Sequence, residues 1–173
     1  NISQWTNDSG YVTSSGVTSV STGNSNTLYG NAAGDALTTG FSNSAFGDNA
    51  LGAMNTGDYS VAVGDSALLK LTGDNSFNTA VGYEAGFELV SGTSNTLVGH
   101  DAGYGGTAAS YSSVVAIGDE AGKSLTTASD VVAVGRRAFN SINPQASGVA
   151  VGFEAGRYAY GINNTYLGFK SGL

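Results

Sequence analysis

"NTAVGYEAG", Asn78–Gly86, is followed by "NTLVGHDAG", Asn95–Gly103, by "VVAIGDEAG", Val114–Gly122, and by "GVAVGFEAG", Gly148–Gly156. A catalytic motif is needed once, whereas a structural unit is needed many times. The units align on a glycine that follows a large apolar residue. These anchors are Gly30, Gly47, Gly64, Gly82, Gly99, Gly118, Gly135, Gly152 and Gly168, spaced by 17, 17, 18, 17, 19, 17, 17 and 16 residues. The chain therefore repeats one unit nine times at a period of about 17 residues.

Each column around the anchor has its own character. A valine rank stands just before it: Tyr29, Phe46, Val63, Val81, Val98, Ile117, Val134, Val151 and Leu167. An alanine rank precedes that: Leu28, Ala45, Ala62, Ala80, Leu97, Ala116, Ala133, Ala150 and Tyr166. A threonine rank comes next, with Thr27, Ser44, Val61, Thr79, Thr96, Val115, Val132, Val149 and Thr165. Before it, an asparagine rank holds Asn26, Asn43, Asn78, Asn95 and Asn164. Three residues after the anchor, Ala33, Ala50, Ala67, Ala85, Ala102, Ala121, Ala138 and Ala155 form a second alanine rank, closed by Ser171. The alternation of β-branched, small and large apolar has a period of two, which predicts a strand with two distinct faces. The glycine then breaks the strand and permits a bend. Length changes fall in the variable remainder, as loops tolerate them.

A unit this short predicts one coil of an all-β parallel β-solenoid, with two short strands and two bends per coil. Nine coils stacked at strand spacing give a rod of roughly 40 Å. The large apolar valine rank is expected to fill the interior as a ladder, so that Val98→Asp collapses the fold. The alanine face is then expected to be covered by copies of the chain, in a homotrimer. Asparagines at one position predict amide ladders. Two residues after the anchor, Glu120, Arg137, Glu154 and Lys170 alternate in sign, as in-register neighbours should. Glu84, Asp101 and Glu120 would be like charges in a row, and are read as carboxylates splayed into water, with a bridging cation as the alternative. Residues 1–22 read as a lead-in and 23–173 as the solenoid, and the chain, opening on Asn1, is expected to be a piece of something longer.

The 173 residues include no Cys and a single His, His100, which excludes disulfides, thiolate metal sites and any centre needing two imidazoles. A net charge of −7 argues against a nucleic-acid partner. No apolar run reaches the roughly 20 residues of a membrane-spanning helix. The repeat spreads its carboxylates along the rod instead of gathering them in a cleft, so no enzyme and no cofactor is expected. "GYGGTA", Gly103–Ala108, lacks the Lys of a phosphate loop and reads as a long bend. Ice ordering by the threonine rank is set aside because that rank is expected inside with the valines. Tyr83, Phe153 and Phe169 follow the anchor directly, with Phe153 and Phe169 side by side, and are expected to pack between neighbouring chains at the bend, sugar stacking or protein contact being the alternative. Tyr104, Tyr111, Tyr158 and Tyr160 lie in variable bends and are the candidates for a lateral receptor contact.

The quoted units resemble the repeats of the YadA-like head of trimeric autotransporter adhesins, and those of phage tail fibres and virion spikes. "WTNDSGYVTSS", Trp5–Ser15, is similar to a stretch common in phage fibre proteins. The resemblance implies a left-handed β-roll, assembled as a trimer at a virion surface or other extracellular location. The expected role is a structural tail-fibre segment that spaces or presents receptor binding, to a host-surface glycan or protein. A bacterial adhesin head bound to host or matrix surfaces is the alternative that it implies.

Overall fold

A computed structural model describes residues 24–141 and 147–173; the expected lead-in over 1–22 lies outside the described residues. Among the described residues the chain is all-β and contains no helix. Its strands are β1 (Thr27–Tyr29), β2 (Ser44–Phe46), β3 (Val61–Val63), β4 (Thr79–Val81), β5 (Leu89–Ser91), β6 (Thr96–Val98), β7 (Ala109–Ser110), β8 (Ser112–Ile117), β9 (Ser129–Val134), β10 (Gly148–Val151) and β11 (Asn164–Leu167). Nine of them form one parallel sheet in the order β1-β2-β3-β4-β6-β8-β9-β10-β11. Each anchored motif pairs in register with the next, as in Thr79↔Thr96, Ala80↔Leu97 and Val81↔Val98. The backbone thus makes about eight turns of a β-solenoid between the first strand and the last.

The second side of each coil differs from expectation. Among the described residues only β5 and β7 pair there, and the other described segments cross it in turns. The cause is a run of left-handed residues. The anchor glycines have φ between 114° and 140°, and the residues two and four positions later are also left-handed, as at Glu84 (52°), Gly86 (67°), Ser66 (58°) and Leu68 (52°). Alternating handedness prevents an extended strand. The anchor must be glycine for a further reason: a Cβ at Gly118 would lie 2.8 Å from the carbonyl oxygen of Gly135, and at Gly99 2.5 Å from that of Gly118. The close approach lets each anchor N–H donate to the carbonyl of the preceding coil's valine rank, at 2.8 Å in Gly99→Val81 and Gly118→Val98.

Inside and outside are the reverse of the sequence expectation. Both alanine ranks face the solenoid's own interior: Ala45, Ala62, Ala80, Ala116, Ala133 and Ala150 are fully buried, and so are Ala50, Ala67 and Ala85. The valine rank points outward, with Val63 and Val81 37% exposed and Ile117 39%. The reason is thickness. Large side chains from the opposite wall (Leu51, Met54, Leu68, Leu71, Leu89, Leu125 and Phe139) already fill the bore. Facing residues must then be small, as close packing demands. Where the strand carries a large residue, the wall compensates: Leu28, Leu97 and Tyr166 lie over Gly34, Gly103 and Gly172, whose added Cβ would strike those side chains. Gly86 likewise makes room for Leu68 and Leu97 from the coils on either side.

The asparagine rank forms the expected ladder, and it is buried. Asn26 Oδ1 accepts from the Asn43 N–H at 2.8 Å, and Asn43 Oδ1 from the Ser60 N–H at 2.8 Å. Ser60 Oγ and Asn78 Oδ1 continue it, and Asn95 Oδ1 ends it on the Val114 N–H at 3.0 Å. Each carboxamide NH2 also spans the coil, donating to Gly40, Gly57, Gly92 or Tyr111 carbonyls at 2.7–3.0 Å. One side chain therefore satisfies a donor in the next coil and an acceptor across its own, groups that would be costly to bury unpaired.

Candidate functional site

The outward face of the nine-stranded sheet is the first feature with functional content. The valine and threonine ranks place eighteen side chains on it, from Thr27 and Tyr29 to Thr165 and Leu167, and none is charged. Tyr29 is 56% exposed, Phe46 41% and Leu167 76%. Contiguous apolar surface of this kind marks an interaction site on a protein that otherwise displays charges. The threonine rank is thus outside rather than inside. Its sequence of Thr, Ser, Val, Thr, Thr, Val, Val, Val, Thr is no regular hydroxyl array, and it adjoins bulky apolar residues.

Beyond the anchor glycine the surface becomes aromatic and charged. The residues directly after the anchor make a continuous strip. Tyr83 stacks on His100 with centroids 5.7 Å apart, and His100 Nδ1 lies 2.9 Å from Asp119 Oδ1. Arg136 Nε is 3.4 Å from Asp119 and its guanidinium 5.4 Å from the Phe153 ring, which stacks on Phe169 at 5.2 Å. Phe153 and Phe169 thus lie side by side as expected, whereas Tyr83 stacks apart from them on His100.

The neighbouring charge rank pairs as its signs required. Arg137 donates to Glu120 at 2.5 Å and approaches Glu154 at 3.9 Å, and Lys170 lies 3.7 Å from Glu154. The cation that relieves Asp101 and Glu120 belongs to the chain itself: Lys123 donates to Asp101 at 2.8 Å and to Glu120 at 3.0 Å. Hydrogen bonds from Arg137, then Lys123, hold the Glu120 carboxyl down at about 2. The hydrogen bonds that Lys123 donates to Asp101, and to Glu120, raise its own pKa. Lys123 escaped sequence reading because it sits in the variable turn, outside the repeating charge column.

The four candidate tyrosines separate. Tyr111 is corrected: it is 1% exposed and its hydroxyl donates to the Gly103 carbonyl inside the coil, so it cannot touch a lateral partner. Burial pushes its hydroxyl's pKa up. The longest unit, Gly99 to Gly118, loops inward there and the ring fills space left by Gly103. Tyr104 is half-buried and stacks on Phe87 at 5.3 Å. Tyr158 and Tyr160 are exposed, at 51% and 85%. Sequence reading missed a second exposed aromatic trio, Phe41, Tyr59 and Phe77, with centroids 4.9 Å and 5.3 Å apart. Their spacing of 18 and 18 residues, close to the repeat period, was the available signal.

No group of three or more His, Cys, Asp or Glu side chains suited to a metal occurs among the described residues, and these contain no helix long and apolar enough to cross a membrane. Comparison with known protein families, curated proteins and solved structures finds no match to this chain. Function must therefore be argued from the surface itself.

Proposed function

We propose that the chain is a structural rod segment of a virion appendage, a left-handed β-roll that assembles as a homotrimer and spaces or presents receptor binding at an extracellular surface. The uncharged outward face of the sheet carries this reading. An isolated rod leaves that face wet along its whole length, whereas three copies around an axis cover it and leave the charged bends in water. The interface is the valine and threonine face, because the alanine ranks are already used within each coil. Inter-coil hydrogen bonds around the full circumference supply stiffness, which suits a spacer. The repeat supplies no cleft, so the role is mechanical and adhesive instead of catalytic.

Light scattering coupled to size exclusion tests the assembly: three chains of 17.3 kDa each are expected. Val81→Asp combined with Val98→Asp should yield a folded monomer, with wild-type far-ultraviolet dichroism, since a charge on the outer face disrupts only association. A monomeric wild type would remove the trimer and with it the appendage reading.

A further inference from the structure

The C-terminal coils differ electrostatically from the rest of the rod. Residues 135–173 contain Arg136, Arg137, Arg157 and Lys170 against Glu154 alone, a net of +3 in a chain whose total is −7. Glu154 is buried and shared by Arg157 at 2.7 Å, Lys170 at 3.7 Å and Arg137 at 3.9 Å. Arg137 is held chiefly by Glu120 at 2.5 Å, which leaves one carboxylate, Glu154, to Arg157 and Lys170. Arg137 and Arg157 are held tightly by their partners, but Arg136 and Lys170 are not, at 3.4 Å and 3.7 Å, and about half of each side chain is exposed. These two flank the stacked rings of Phe153 and Phe169. Arg136 lies 5.4 Å from the Phe153 centroid, and Lys170 lies 5.9 Å and 5.5 Å from the two centroids.

We infer that this cation–aromatic strip, Arg136, Phe153, Phe169 and Lys170, binds a carboxylated polysaccharide. The inference rests on the reading of the chain as a receptor-presenting rod, and names the class of receptor. Each part of such a ligand has a counterpart. A guanidinium fork receives a carboxylate through two parallel hydrogen bonds, and an ammonium adds a point charge two coils further on. Phe153 is enclosed between Arg136 and Phe169, and Phe169, 74% exposed, offers its ring to the C–H face of a sugar. The coil repeat fixes the cations on a rigid backbone, so little freedom is lost on binding. Charge density favours the sugar over nucleic acid. Duplex DNA carries a charge about every 1.7 Å, and the acidic remainder of the rod repels so dense a polyanion. A polyuronate carries at most one carboxylate per sugar and can be held locally.

The test uses the whole chain and polygalacturonate as probe, with its fully methyl-esterified form as the neutral control and duplex DNA as the phosphate control. Binding to polygalacturonate is expected at low salt, weakened at least tenfold by 0.5 M salt, and absent for the ester. Arg136→Glu with Lys170→Glu should reduce affinity at least tenfold while leaving the light-scattering mass unchanged. Phe153→Leu with Phe169→Leu should reduce it several-fold with the charges intact. No binding, equal binding to the ester, equal or tighter binding to DNA, or retained affinity in the charge-reversal variant would each overturn the inference. The unchanged mass separates such a failure from failure of the rod itself.

Discussion

The first five coils and the three that follow solve the same stacking problem differently. From Asn26 to Asn95 the rank before the threonines is polar and buried, and the paired strands are three residues long. At Val114 and Val131 the rank turns apolar, and β8 and β9 extend to six residues each. The two properties are linked. An asparagine carboxamide takes the N–H of the next coil's residue at that position, so backbone pairing begins only one residue later. With valine there is no competitor, and pairing runs back through Val114↔Val131 to Ser112↔Ser129. The first region is thus held by side-chain bonds that cross the bore, the second by backbone bonds and by the Lys123–Glu120–Arg137–Glu154 ion network. A repeat can keep one fold while exchanging the interaction that closes each coil.

Asn43→Ala strikes this comparison hardest. It orphans the buried Ser60 N–H and the Gly57 carbonyl together. At ~1–3 kcal/mol for each unsatisfied buried group, the loss should be about 3 kcal/mol. Val131→Ala removes two methyl-sized groups from an equally buried site but leaves every backbone bond in place, so it should cost ~1.5 kcal/mol. Denaturant melts of the two variants decide the matter. If Asn43→Ala proved the milder change, the carboxamide would be a passenger and the two regions energetically alike.

Much of this was legible in the sequence, but not the parity of the strand. Period, anchor glycines, the amide ladder and the charge pairing all follow from columns that repeat. Which face is inside does not, because alternation fixes that two faces differ and leaves open which one is enclosed. The deciding residues are the wall leucines, and they do not stay in one column. Leu51, Leu68 and Phe139 sit four residues after the anchor, while Met54, Leu71, Leu89 and Leu125 sit seven after it. A reader aligning single columns sees two weak ranks where the bore sees one full layer. The same blindness hid Lys123 and misplaced Tyr111, both in turns whose length varies.

Acid should separate the two regions by a smaller margin. Glu120 is held far below its ordinary 4.5 by Arg137 and Lys123. A depressed carboxylate contributes stability that is complete above its unfolded value and is lost as pH falls through its folded one. The C-terminal network should therefore weaken between about pH 4.5 and 2, while the asparagine ladder, which does not titrate, persists. Hydrogen exchange read coil by coil at pH 3 should show protection falling first around β8 and β9. Loss first around β2 and β3 would contradict the assignment, and so would an acid response of β8 and β9 as large in Glu120→Gln as in the wild type.

The smallest effect lies at the seam between the regions, on His100. Its Nδ1 faces Asp119 at 2.9 Å, and its Nε2 lies 3.6 Å from Asp101 Oδ1, a buried oxygen with no hydrogen-bond donor. A neutral imidazole has one N–H and can serve only one of these carboxylates; the imidazolium serves both. The Asp119 hydrogen bond raises its pKa above 6.5, assisted by Asp101 and opposed by partial burial and by Lys123. Tyr83 stacks on the ring without adding charge, and Arg136 engages Asp119 from the far side. A raised pKa contributes stability that is complete below pH 6.5 and disappears as pH climbs through the folded value. The ring is half exposed, so solvent screens most of the effect, and the readout should be titration rather than melting. Proton NMR of His100 should give a midpoint above 6.5 that falls in Asp119→Asn and, by less, in Asp101→Asn. A wild-type midpoint at or below 6.5 would show that this seam is indifferent to pH and that acid acts on the rod only through Glu120 and its neighbours.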